Sequence, residues 1–184
     1  MPSPRPLSPT PLSDLRVSRH QIPRHNLIPN TSLQHRPLLV YHSAFPDAPS
    51  PPAIESHLQS VGAVVPRWRY TMYTTPHFHT TTHEVLCVSA GRARLCFGGG
   101  GNEGRVEEVL GAGDVVVVPA GVAHHLLEDM SGGGFQMVGS YPVDAETWDM
   151  CYGEPGEEDK VEGIKKLAWF TRDPIYGDEG PTLE

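Results

Sequence analysis

Three histidines and a glutamate fall within eight residues of each other in PHFHTTTHEVL, positions 76–86. A neutral imidazole offers a nitrogen lone pair and a carboxylate offers an anionic oxygen, and together they are donors suited to a divalent cation. His77 and His79 are two apart in a run that reads as a strand, so both rings face one side, roughly 7 Å apart along the chain, with Phe78 on the other. Two imidazoles so placed can converge on one ion, with metal–nitrogen bonds of about 2.0–2.1 Å for zinc. The next donor must come from a neighbouring strand, where His83 and Glu84 stand side by side. Strict alternation from His77 favours His83, but Thr80-Thr81-Thr82 is a polar break at which the facing can reset, so periodicity leaves both open. A buried carboxylate without a partner is costly, whereas one bound to a cation is compensated. His83 has further roles open to it: orienting Glu84 or a bound water, moving a substrate proton, or facing the outer side of the sheet.

A second segment can supply the remaining donor. In GDVVVVPAGVAHH, positions 113–125, four valines make a buried strand and Pro119-Ala120-Gly121 turns it. His124 and His125 follow on the next strand and must face opposite sides, so only one of them can join the site.

These residues have to be positioned by β-structure. Runs with strand character occur at 38–41, 67–72, 77–80, 84–90, 92–98, 105–110, 114–118, 124–129 and 135–141, punctuated by glycines. Short strands at close, fairly even spacing with turn signals between them indicate a β-sandwich or barrel. Trp68, Tyr70 and Met72 alternate with polar residues and read as core or as the mouth of a barrel. Gly98–Gly101 lacks a following Lys-Ser/Thr, so it is a hairpin turn rather than a phosphate loop. Ala53–Gln59, behind Pro51-Pro52, is a short helix. In the C-terminal extension, about 148–184, residues 157–170 read either as a helix with a glycine in it or as a charged loop followed by a strand at 166–170, the second being favoured. Twelve of the nineteen prolines precede Ala53, and a Pro/Arg-rich tail over 1–37 is expected to be disordered. The domain is then 38–184.

The net charge of −8 is uneven: residues 1–37 carry five Arg, no Lys and one Asp, or +4, which leaves −12 on the rest. An acidic body argues against nucleic acid as a partner. No apolar run reaches the roughly 18 residues that span a bilayer. We therefore expect a soluble, cytoplasmic protein; the basic head also suits an organelle-targeting peptide, which its prolines oppose. The three cysteines cannot all pair internally. Cys87 and Cys96 flank Gly91-Arg92, which reads as a two-residue hairpin loop that would set them opposite each other. A disulfide is conceivable there, and two buried thiols are the expectation for an intracellular chain.

At this point the chain resembles the cupins. His77-x-His79-x4-Glu84-x6-Gly91 matches the core of their first motif, and Gly113-x5-Pro119-x-Gly121-x2-His124 matches their second. Thr71 stands where the first motif opens with glycine, and Glu128 where the second closes with asparagine. HTTTHEVL, VGSYP and DPIYG…GP further resemble the single-domain YjlB-like cupins, extending the likeness from about Leu38 to the C-terminus. The resemblance implies an all-β, jelly-roll-like double-stranded barrel and a homodimer. It also implies one divalent transition metal (Fe, Mn, Ni or Zn) held by His77, His79, Glu84 and His124. Four protein ligands leave two positions on a six-coordinate ion. The leading expectation is an oxygenase or related oxidoreductase acting on a small molecule, with Glu84 as ligand and proton acceptor. The alternatives are a redox-neutral isomerase, cyclase or decarboxylase, with His83 or a pocket tyrosine as base, and a non-enzymatic ligand- or metal-binding barrel.

Overall fold

The computed structural model describes residues 5–184. Within them nine strands form two sheets: β1 (Arg16–His20), β2 (Leu38–His42), β3 (Val64–Tyr70), β4 (Glu84–Ala90), β5 (Arg92–Phe97), β6 (Val106–Gly111), β7 (Val115–Val118), β8 (His124–Asp129) and β9 (Gln136–Pro142). The larger sheet runs β1-β2-β7-β4-β9-β3 and the smaller β6-β5-β8, with every strand pair antiparallel. Between them lies an interior packed with Leu86, Val88, Leu95, Phe97, Val116, Val118 and Met137. This is the all-β, jelly-roll-like barrel that the resemblance implied. Truncating an interior residue such as Leu86 to alanine should cost about 2–5 kcal/mol.

The larger sheet is covered on both faces. Along β4, Leu86 and Val88 point into the barrel while Val85 and Cys87 point outward into a second apolar layer. That layer includes helix α1 (Pro51–Val61), which buries Ala53, Ile54 and Leu58. Ser50 caps α1 by accepting from the Ala53 amide at 3.4 Å, and Pro51-Pro52 occupy its first turn, where no amide donor is missed. The C-terminal segment completes the layer with Trp169, Phe170 and Ile175. No helix among the described residues is long and apolar enough to cross a membrane.

Three expectations are corrected. Disorder up to residue 37 fails from Arg16 onward; residues 1–4 lie outside the described residues. β1 pairs with β2 over its whole length and Ile22 enters the interior. Beyond Ile22 the segment is also held by Asn30, whose side chain donates to the Pro23 and Gly98 carbonyls (2.9 and 3.0 Å) and accepts from the Ala123 amide at 3.2 Å. One side chain that satisfies three backbone groups, two of them buried, helps to order this stretch.

The turn at Gly91 is a corner rather than a hairpin. β4 lies in one sheet and β5 in the other, so Cys87 stands opposite Val115 and Val138, and Cys96 opposite Glu107 and His125. Gly91 has φ +75°, and a Cβ there would sit 2.7 Å from the Gly134 carbonyl oxygen. All three thiols are free and buried. In the C-terminal segment, helix α2 (Glu158–Gly163) and a 3-10 turn at Ile164–Lys166 replace the charged loop, and 166–170 forms no strand. The aromatic residues there lie against the outer face of the sheet without extending it.

Candidate metal centre

His77 and Phe78 are docked onto the smaller sheet and the C-terminal segment by backbone hydrogen bonds. His77 exchanges both with His124 (3.3 and 2.9 Å), and Phe78 exchanges both with Cys151 at 2.9 Å. This pairing sets His77, His79 and His124 on one side, with ring nitrogens all within 4.8 Å of one another. Phe78 faces away into a small apolar cluster with Ile28, Ala123 and Cys151. The fourth predicted donor comes from the other sheet. Glu84 opens β4 with the same parity as Leu86 and Val88, and its Oε2 lies 3.4 Å from His79 Nε2 and 3.2 Å from His124 Nε2.

The outer ring nitrogens are all engaged. His77 Nδ1 lies 2.9 Å from the Thr75 carbonyl, His79 Nδ1 2.5 Å from that of Asp149, and His124 Nδ1 3.0 Å from that of Val122. A carbonyl can only accept, so each Nδ1 carries a proton, and each ring in its neutral form turns an Nε2 lone pair inward. Three lone pairs and an anionic oxygen then meet in one buried volume. Glu84 Oε1 accepts from the Tyr141 hydroxyl at 2.9 Å, and that hydroxyl accepts from Trp68 Nε1 at 2.9 Å. Glu84 Oε2 has no hydrogen-bond partner despite its burial. An orphaned carboxylate oxygen facing imidazole nitrogens fits a divalent cation.

The proton affinities follow. Burial, and after it the cost of placing a second charge beside the His124 ring, push His77 down to about 3. Burial also opposes charge on His79, but the adjacent Glu84 carboxylate outweighs it and raises the value. Burial works against the Glu84 anion, yet His79 and His124 hold its pKa well below the usual carboxylate range. The carboxylate is therefore ionised at neutral pH. Cation binding must displace whatever proton His79 holds against it.

His83 takes the outward facing, one of the readings its position left open. The bend at Thr80–Thr82 resets the alternation and turns the ring to the outer layer. There it accepts from the Ala120 amide through Nδ1 (2.9 Å) and lies 3.0 Å from the Ala168 carbonyl through Nε2. It packs against Trp169 and Phe170. Burial pushes it down to about 4, since a second ring proton would point at the Ala120 amide. It borders a groove of about 680 Å³ on the outside of the barrel, away from the histidine cluster. His125 faces opposite to His124 and stays out of the cluster.

Three contributors escape sequence reasoning: Tyr141, Trp148 and Asp149. The Asp149 carboxylate accepts from the Thr80 amide and hydroxyl (2.7 and 2.5 Å) and from the Thr81 amide at 3.3 Å, while its carbonyl holds His79. The threonine run is thus the seat for this aspartate. The cluster opens to a cavity of about 270 Å³ walled by Trp68, Met72, Tyr141, Trp148 and Met150.

A family model described as Cupin matches residues 55–130. The protein YjlB of Bacillus subtilis (strain 168), named there as uncharacterized, is 34% identical over 149 residues, which is 80% of this chain and 84% of YjlB. Among solved structures, a single-residue variant of the oxalate decarboxylase of B. subtilis aligns at 18% identity and a TM-score of 0.36, over 63% of this chain and 22% of its own. Vicilin from Solanum lycopersicum aligns at 20% identity and a TM-score of 0.38, over 63% of this chain and 29% of its own. This chain therefore spans less than a third of either solved protein.

Proposed function

The chain belongs to the cupins, in their YjlB-like branch, and from that premise we propose that it is a metal-dependent enzyme acting on a small organic molecule. His77, His79, Glu84 and His124 are the ligands of one divalent transition ion. The observation that carries this is the inward convergence of three Nε2 atoms, each fixed by a carbonyl on Nδ1, around a buried Glu84 oxygen that has no hydrogen bond. When bound, such an ion supplies Lewis acidity and, if it is redox-active, electron exchange with dioxygen.

The chain's own residues do the rest. Tyr141 pins Glu84 Oε1 and so turns Oε2 towards the histidines. Burial and the Glu84 charge hold the Tyr141 hydroxyl far above its ordinary pKa, so it remains a donor at neutral pH. Trp68, Met72 and Trp148 limit water at the site. We favour an oxygenase-type oxidoreductase. A redox-neutral isomerase or lyase needs a free base beside the substrate. Of the bases considered for it, His83 has both ring nitrogens engaged on the outer face, and the pocket tyrosine Tyr141 gives its hydroxyl proton to Glu84. An open cavity of about 270 Å³ also sits poorly with a plugged, purely structural barrel. We place the protein in the cytoplasm as a homodimer paired along an exposed sheet edge, which light scattering would check.

Elemental analysis of protein purified without chelators tests the centre. We expect near-stoichiometric metal in the wild type and its loss in His79→Ala and His124→Ala; metal retained in both variants would overturn it. Oxygen uptake by the Fe(II)-loaded protein, absent under zinc, tests the reaction class.

A further inference from the structure

The cavity above the histidines is walled mainly by aromatic side chains. Trp68, Tyr70, Tyr73, Tyr141, Trp148 and Met150 border it. Tyr141 and Trp148 stack with ring planes 7° apart and centroids at 4.7 Å. At the mouth, Tyr70 and Tyr73 lie 5.4 Å apart by ring centroid and remain 50% and 54% exposed. Exposed aromatic rings around a concave site offer faces and edges on which a ligand ring can lie. The wall is also fixed by the backbone. A Cβ at Gly139 would sit 2.0 Å from the Trp68 indole, so that ring lies flat only because position 139 lacks a side chain.

Charge narrows the ligand further. Among the described residues bordering the cavity, Arg69 is the only lysine or arginine, and Glu55 takes its guanidinium through two hydrogen bonds of 2.6 and 2.9 Å. An anionic group placed away from the histidine end would find no free cation and would lose its hydration uncompensated. One uncharged polar group is available. The Thr71 hydroxyl is buried in this wall without a hydrogen-bond partner, at the position where the cupin motif carries glycine. The volume of about 270 Å³ is at the low end for ligand pockets, which run from about 300 to 1,000 Å³, and suits a single ring.

We infer that the ligand of this cavity is a planar, one-ring aromatic compound, neutral or singly charged. Its oxygen-bearing group points at the His77–His79–Glu84–His124 cluster and its ring lies against the Trp68, Tyr141 and Trp148 walls. The inference rests on the metal-centre reading above and narrows it to a substrate class. A short aliphatic dicarboxylate, whose second charge these walls cannot meet, is the class it disfavours.

The test compares benzoate, cyclohexanecarboxylate and malonate by titration calorimetry on the full-length, zinc-loaded protein, with elemental analysis of the same sample. The first two share a carboxylate and a six-membered ring and differ in planarity and π face. Benzoate should bind about fivefold or more tightly than either competitor, as stacking on more than one aromatic wall requires. Trp148→Ala should shrink that ratio at least by half, and Trp148→Phe should restore it. Equal affinity for the two ring acids, tighter binding of malonate, or no benzoate binding at millimolar concentration overturns the inference. If Trp148→Ala does not fold, the wild-type ratio decides alone. A sample that binds no zinc defeats the metal-centre reading instead, and the benzoate ratio on that metal-free protein still decides whether the walls select an aromatic ring.

Discussion

Two carboxylates are buried among the described residues, and they are treated in opposite ways. Asp173, in the C-terminal segment, is fully buried and saturated. Its Oδ1 accepts from the Ile175 and Tyr176 amides (2.9 and 3.0 Å). Its Oδ2 accepts from the Tyr41 hydroxyl at 2.6 Å and from the Thr182 amide and hydroxyl (3.2 and 3.0 Å). Glu84 is just as deep, yet it has one neutral donor, Tyr141, and its second oxygen faces ring nitrogens without a hydrogen bond. Full satisfaction marks a carboxylate that serves stability, here riveting the C-terminal segment to β2. Partial satisfaction beside three ring nitrogens fits the proposed role of Glu84 as a ligand.

That contrast can be broken in several places. The largest effect should come from Asp173→Ala, which strands the Tyr41 hydroxyl and several amides in the outer layer. We expect a loss of about 3–5 kcal/mol in urea unfolding, with the folded fraction still able to take up metal. If stability barely changes, saturation is no guide to a structural role.

Next in size is the acid sensitivity set by His83. Its folded-state pKa of about 4 lies below the unfolded value of about 6.5, so its contribution is present above pH 6.5 and fades as pH falls towards 4. For this buried ring the loss by pH 4 is on the order of 3 kcal/mol. His83→Gln should flatten that part of the pH–stability curve relative to wild type, a difference that cancels the similarly directed effect of His77.

Tyr141→Phe comes third. It frees Glu84 Oε1 and should weaken metal binding about 10- to 100-fold in a chelator-competition assay, and Trp68→Phe should follow it in the same direction by less. The smallest effect is the sharpest. Glu84→Gln should change the stability of metal-stripped protein by less than about 1 kcal/mol, because the amide can still accept from Tyr141 and donate to the inward imidazoles. The same variant should lose metal from the holoprotein. A large destabilisation of the stripped protein would place Glu84 with Asp173, as a structural carboxylate.

Much of the site could be read from residue types and spacing, and the limits have physical causes. The His77/His79 pair was visible because a strand's period of two puts both rings on one side. The choice between His83 and Glu84 was hidden because EVLCVSA is apolar on both faces: β4 is covered inside by the barrel and outside by the C-terminal segment. With no polar face, alternation has no reference. The family resemblance chose Glu84 and His124, and the coordinates bring both to the cluster. β1 escaped because its order comes from pairing with β2 along its whole length, which its sparse apolar content does not signal. Tyr141 and Asp149 escaped because their roles lie in contacts across 57 and 70 residues of sequence, for which local pattern carries no signal.

The grip of Asp149 on the threonine turn and on His79 has a consequence for biosynthesis. A nascent chain that has emerged only through Pro142 already has every strand and all the donor side chains, yet it lacks the carbonyl that fixes the His79 ring. On the proposed centre, a chain stopped there should hold an ion less tightly than the whole domain, because its His79 ring is free to turn.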